Sequence, residues 1–224
     1  MICSKEQLEG IVNKSLSFKP LTEIPAILAY TSNSSGFNEG EREFFQIFDK
    51  KDNPIIVDDK PLVLYRGECH GENRIKGLYH RGVNILFLKD GEAYVSTRTL
   101  DKDTYPGYTE FSASEHSKFG EDYLTAAVRG CMEELKQKVS PKQLMPFLHT
   151  KFDNETQSEQ VTYYLLRHDG SEIKPDTTEI AKGEWVDLAY LKNTLKEDES
   201  MAKLHFRDDH LPALKYFLRC YDGG

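Results

Sequence analysis

Glu121, Arg129, Glu133 and Glu134 stand in the order E-x7-R-x3-E-E. Residues three and four apart share one face of a helix, so Arg129 can pair with Glu133. On a wheel of about 100° per residue, Leu124, Ala127, Val128, Cys131 and Leu135 form an apolar stripe, and Glu133, Gly130 and Glu134 lie side by side on its flank. Two carboxylates at the edge of a buried face repel each other unless a cation sits between them. Mg²⁺ (or Mn²⁺) takes hard oxygen ligands and tolerates water and phosphate in its remaining positions. An isolated Glu-Glu pair is ordinarily a solvated helix surface; the arginine at i−4 and the earlier glutamate favour the metal. Arg98 ends a strand-like run just before the polar segment 101–104. Its fork of donors suits phosphate oxygens, with an ordinary surface arginine as the alternative.

These residues need a frame. Residues 123–137 read as one helix. Strand patterns occur at 43–48, 55–57, 83–88, 93–96, 161–166 and 183–186, and further helices at 187–195 and 211–219. Lys89-Asp90-Gly91-Glu92 between two apolar runs is a hairpin cue, because glycine accepts the positive φ of a tight turn. Residues 4–13 could form a short helix, followed by a polar, loop-like stretch to about 41. The expected organisation is an N-terminal extension (1–42, helix plus loop) before a domain of residues 43–224. Short strands with interposed helices imply an α+β fold, an α/β/α sandwich on a mixed sheet. Segments 101–109 and 144–157 are expected to be loops that wall a pocket.

The stretch 112–136 resembles the signature box of the Nudix superfamily, G-x5-E-x7-R-E-U-x-E-E-x-G-U with U apolar. Glu121, Arg129, Cys131, Glu133 and Glu134 fit; Glu115 stands at the first Gly, Gly130 at the Glu after the Arg, and Lys136 at the last Gly. The resemblance implies that Glu121 and Arg129 are structural and that Glu133 and Glu134 hold the metal. It also implies that the carboxylate lost at Gly130 is supplied elsewhere, Glu115 being a candidate, or that fewer metals bind, or that catalysis is gone. Outside the box, residues 78–99, 105–117, 158–164 and 179–191 resemble the Nudix branch that includes isopentenyl-diphosphate isomerase. Carried over by position, that enzyme's cysteine falls on Ser114, its histidines on Asn73, His80 and His116, and its glutamates on Gln157 and Glu159. Serine is a far weaker acid than cysteine, which disfavours isomerisation. The resemblance instead implies metal-dependent hydrolysis of a nucleoside diphosphate linked to a group X. In that reading Glu159 or Glu115 handles the water, and Arg98, His80 and His116 contact substrate. Structural, hydrogen-bonded roles for the two histidines, and a retired, ligand-binding site, stay open. Nudix proteins often dimerise, so a homodimer is a further expectation.

Bulk properties bound the partners. A net charge of −8 over 224 residues argues against nucleic-acid backbone as the main partner, while leaving room for a small diphosphate whose charge a metal neutralises. Four scattered cysteines, no signal-like N-terminus and no run of about 18 apolar residues lead to the expectation of a reduced, cytoplasmic protein with no membrane partner.

Overall fold

The computed structural model describes residues 44–57, 60–70, 77–102, 104–155, 157–197 and 204–221. The expected helix at 4–13, the extension 1–42 and Asn73 lie outside them. Four short strands open the described chain: β1 (Phe44–Gln46), β2 (Ile56–Val57), β3 (Lys60–Pro61) and β4 (Val63–Tyr65), followed by one helical turn, α1 (Arg66–Cys69). They enclose a small apolar cluster that includes Phe45, Ile47, Leu64 and Leu78.

The main sheet then begins with β5 (His80–Lys89) and β6 (Glu92–Arg98). Asp90 and Gly91 have φ of 51° and 83° between the paired Lys89 and Glu92, the two positive values that a two-residue hairpin turn demands. Next come β7 (Thr109–Glu110), β8 (Ala113–His116), α2 (Tyr123–Leu135), β9 (Leu144–Asp153), β10 (Ser158–Arg167), β11 (Ile180–Asp187), α3 (Leu188–Glu197) and α4 (Leu211–Cys220). Among the described residues the sheet has seven strands, ordered β11-β6-β5-β10-β9, with β7 on β6 and β8 on β5. The β5–β10 pair is parallel and the others antiparallel, so the sheet is mixed, as expected.

The alternation of β5 explains the layers. Val83, Ile85 and Phe87 pack with Ala126, Ala127, Cys131 and Leu135 of α2. Leu86 and Leu88 pack on the other face with Leu191, Leu211, Leu214 and Phe217 of α3 and α4. Each fully buried large side chain contributes about 1.5–3 kcal/mol, and the two clusters make the α/β/α sandwich. One expectation is corrected. Most of the segment 144–157, expected as a loop, is β9, a sheet-edge strand. It carries Pro146, and the pairing register shifts between Tyr163 and Tyr164 of β10. Proline is tolerated at edges and bulges, but in a sequence it argues against a strand.

Candidate functional site: a carboxylate box beside a histidine cluster

Arg129 organises the box. Its Nε and Nη2 donate to the two oxygens of Glu121 at 2.9 and 3.0 Å. Nη2 also donates to the His116 carbonyl at 2.7 Å, and Nη1 to Glu115 at 2.5 Å and Glu133 at 2.8 Å. One guanidinium thus ties β8, the loop and α2 together. Glu121 caps the loop by accepting from Lys118 N at 2.9 Å, and Asp122 caps α2 by accepting from Thr125 N at 2.7 Å. Burial would raise the Glu121 and Glu133 carboxyls, but hydrogen bonds from Arg129 and the charges of Arg129 and Lys118 outweigh it and hold both below the usual range. The Arg129–Glu133 pair is the one expected from the i,i+4 spacing.

Glu134 has the opposite environment. It is 4% exposed and accepts from Ser114 N at 3.0 and 3.3 Å. No cation lies within ion-pair distance of it among the described residues. Burial first, then the charges of Glu115 and Glu110, push its carboxyl well above the ordinary 4.5. The wheel had put Glu134 on the flank of the apolar stripe; β8 folds over that flank and buries it. At the helix end, Lys136 takes the left-handed conformation (φ 54°) that the resembled pattern reserves for glycine.

A second cluster lies next to the box. One ligand atom from each of His70, His80 and His116 falls within 4.8 Å of the others, a spacing that one metal ion can bridge. Nε2 of His70 and Nε2 of His80 are 3.1 Å apart, and Phe45 stacks on His80 with centroids 4.8 Å apart. Burial, then the charges of His80 and His70, hold His116 well below 6.5, so it is neutral, the form that binds metal. The parallel register sets Glu159 beside His80, and Glu159 Oε1 stands 3.8 Å from His116 Nε2. Gly82 makes room for it: a Cβ there would meet that oxygen at 1.7 Å. Gln157 donates to Glu159 at 3.2 Å.

Both clusters border a cleft of about 900 Å³. Arg98 lines it, but its Nη1 is held by Glu110 at 3.1 and 3.3 Å and its Nε by the Thr104 carbonyl at 3.0 Å. Arg98, expected as a substrate contact, thus borders the cleft with part of its donor fork engaged by a residue twelve positions along the chain. Arg207, which sequence reasoning missed, lines the cleft as well, held by Asp209 at 2.7 and 3.0 Å and by Glu110 at 3.1 Å. Lys102 pairs with Glu179, and Lys118 with Glu133. Among the described residues the lining carries five basic side chains and five carboxylates, no excess of positive charge for a diphosphate. His116 lines the cleft, whereas His80 is fully buried and faces His70.

The NUDIX domain family matches residues 78–207, more than half of the chain. The chain belongs to the Nudix family. Among its Nudix-related relatives, an uncharacterised Nudix hydrolase of Pseudomonas aeruginosa, PA4841, is 45% identical over 79 residues, 34% of this chain and 44% of that protein. The isopentenyl-diphosphate Delta-isomerase of Klebsiella pneumoniae is 30% identical over 117 residues, 49% of this chain and 61% of the enzyme. The chain thus spans about half the length of these relatives. Two solved structures share the Nudix fold: DR0079 from Deinococcus radiodurans (TM-score 0.56, 21% identity, 80% of this chain and 99% of that one) and a MutT protein from Methanosarcina mazei Go1 (TM-score 0.51, 14% identity, 63% and 93%). Nudix hydrolases generally use divalent metals, and the residues here fit such an ion: among the described residues, Glu134 is a buried carboxylate with no cation at ion-pair distance, and the buried Ser114 Oγ beside it has no hydrogen-bond partner. The structure also revises the carried-over histidines of this Nudix branch. His70 joins His80 and His116, three residues before the Asn73 chosen by counting. A search for any histidine upstream of His80 would have found it.

Proposed function

We propose that this Nudix protein is a metal-dependent hydrolase of a small diphosphate, a nucleoside diphosphate linked to a group X. The observation that carries the reading is the buried Glu134 carboxylate, with no cation within ion-pair distance among the described residues, beside a cleft whose described lining has five basic groups and five acidic ones. A diphosphate adds negative charge that this lining cannot balance, so a divalent ion held by Glu134 and Glu133 would have to enter with it. When bound, that ion would neutralise the diphosphate and acidify a coordinated water. Glu159, in contact with the cleft and steadied by Gln157, is placed to accept the proton of that water. Arg98, Arg207 and Lys102 line the cleft and would orient the phosphates by giving up part of their present carboxylate partners.

The isomerase relatives and the three histidines with Glu159 favour a second reading, rearrangement of an isoprenoid diphosphate. It requires a proton donor where Ser114 stands. A screen of nucleotide sugars, dinucleotides, nucleoside triphosphates and isoprenoid diphosphates with Mg²⁺ or Mn²⁺, read by ³¹P NMR and for alkene migration, separates the two. Hydrolysis abolished in a folded Glu134→Gln variant is the expected outcome; full turnover in that variant refutes the assignment.

A further inference from the structure

Glu115 and Gly130 compete for the volume of one side chain. Glu115 pairs with Val83 across β8 and β5, and Val83 belongs to the apolar layer under α2, so Glu115 leaves the sheet on the helix side. Where it meets the helix, α2 has no side chain. A Cβ at Gly130 would lie 2.7 Å from Cγ of Glu115 and 3.1 Å from its Cβ, too close for both side chains to keep their places. Glycine costs an α-helix interior about 1 kcal/mol relative to alanine; here the close approach of Glu115 requires it. The carboxylate delivered this way reaches Arg129 at 2.5 Å, shares that guanidinium nitrogen with Glu133, and borders the cleft. The backbone N–H of the preceding Ser114 holds Glu134.

We propose that Glu115 is a ligand of the box metal, reaching from the strand into the space that a side chain at position 130 would otherwise fill. The two departures from the Nudix pattern are then a single reciprocal exchange, and the box keeps three carboxylates, Glu115, Glu133 and Glu134, around one ion. This deepens the proposed function, because it assigns the metal's third protein ligand.

The test uses the full chain and Mn²⁺ alone. Binding is counted by electron paramagnetic resonance and titration calorimetry, and stability by thermal unfolding in EDTA. The ion lost in Glu134→Gln defines the box site and separates it from any ion at the histidines. Glu115→Gln, which keeps the shape, is expected to weaken that same ion tenfold or more. Gly130→Glu alone is expected to lower Tm through overlap with Glu115. The exchange Glu115→Gly with Gly130→Glu is expected to recover both Tm and Mn²⁺ binding relative to Gly130→Glu. Wild-type affinity in Glu115→Gln, no box ion in the wild type, or an exchange variant no better than Gly130→Glu overturns the proposal. A wild type that binds Mn²⁺ in the expected pattern yet cleaves no diphosphate overturns only the proposed reaction.

Discussion

Replacing Glu134 by glutamine should reverse the order of stability between variant and wild type when divalent metal is added. The carboxylate is 4% exposed, and among the described residues its one hydrogen-bond donor is Ser114 N, at 3.0 and 3.3 Å. An ill-compensated buried polar group costs about 1–3 kcal/mol, and more when charged. Glutamine keeps an acceptor for Ser114 N and removes the charge. Without metal at pH 8, the variant should therefore exceed wild type by about 1–3 kcal/mol, or about 2–12 °C at roughly 2–4 °C per kcal/mol for a chain of this size. Its pH dependence has a definite sign. Burial and the charges of Glu115 and Glu110 raise the folded-state pKa of Glu134 above its ordinary 4.5. The wild type thus has its full share of stability below that ordinary value and loses it as pH rises through the folded pKa. The gap to the variant opens with rising pH and closes toward 4.5. With metal at a hundredfold excess over Kd, wild type gains about 2.7 kcal/mol, and a neutral glutamine loses most of that gain. Thermal unfolding by circular dichroism, in EDTA and in Mg²⁺ across pH 5–8.5, measures both arms. A variant less stable than wild type in both media at every pH would show that the hydrogen bond to Ser114, and not metal binding, is what Glu134 supplies.

Two further outcomes follow from local geometry. Gly82→Ala places a methyl group 1.7 Å from Glu159 Oε1, so the carboxylate must leave His116. Co²⁺ titrated into the variant should bind at least tenfold more weakly, read from its visible absorption, while unchanged affinity would remove Glu159 from the histidine site. Lys136→Gly relieves a left-handed φ of 54°, worth about 1–2 kcal/mol. It loses an exposed pair with Asp176 worth roughly 0.2–1 kcal/mol, so denaturant unfolding should show a net gain near 1 kcal/mol.

The parts of this molecule legible in the sequence are those set by local periodicity. Helix α2 begins at the expected Tyr123 and ends two residues early, where Lys136 turns left-handed. The Asp90-Gly91 turn and the apolar run of β5 were equally plain, because side-chain alternation and turn chemistry act over a few residues. The site was legible as a set of residue types and less so as an arrangement. Glu110 capturing Arg98, and β8 burying Glu134, depend on strand pairing that no short window of sequence encodes. Arg207 enters the cleft because Phe206 bridges Thr109 alongside β7, a contact between distant segments. His70 pairs with His80 ten residues on, a contact that no short periodic pattern in the sequence marks. At Gly130 the sequence leaves several readings open, with Glu115 one candidate substitute, since only the crossing of β8 and α2 shows which side chain fills the gap.

The parallel pairing of β5 with β10 has a consequence for how the protein matures. His80 and Glu159 are register partners in that pair, yet a hairpin, a helix and an edge strand separate them along the chain. Parallel contacts between remote segments carry a large loop-closure cost and form slowly. The hairpin of β5 and β6 can assemble early from neighbouring residues, but it holds only part of the histidine cluster. An ion bound there in the nascent chain would lack Glu159 until β10 docks. If the three histidines and Glu159 hold an ion, its capture would report completion of the sheet, and the rate at which a refolding chain takes up Co²⁺ should follow the closure of its slowest long-range contact.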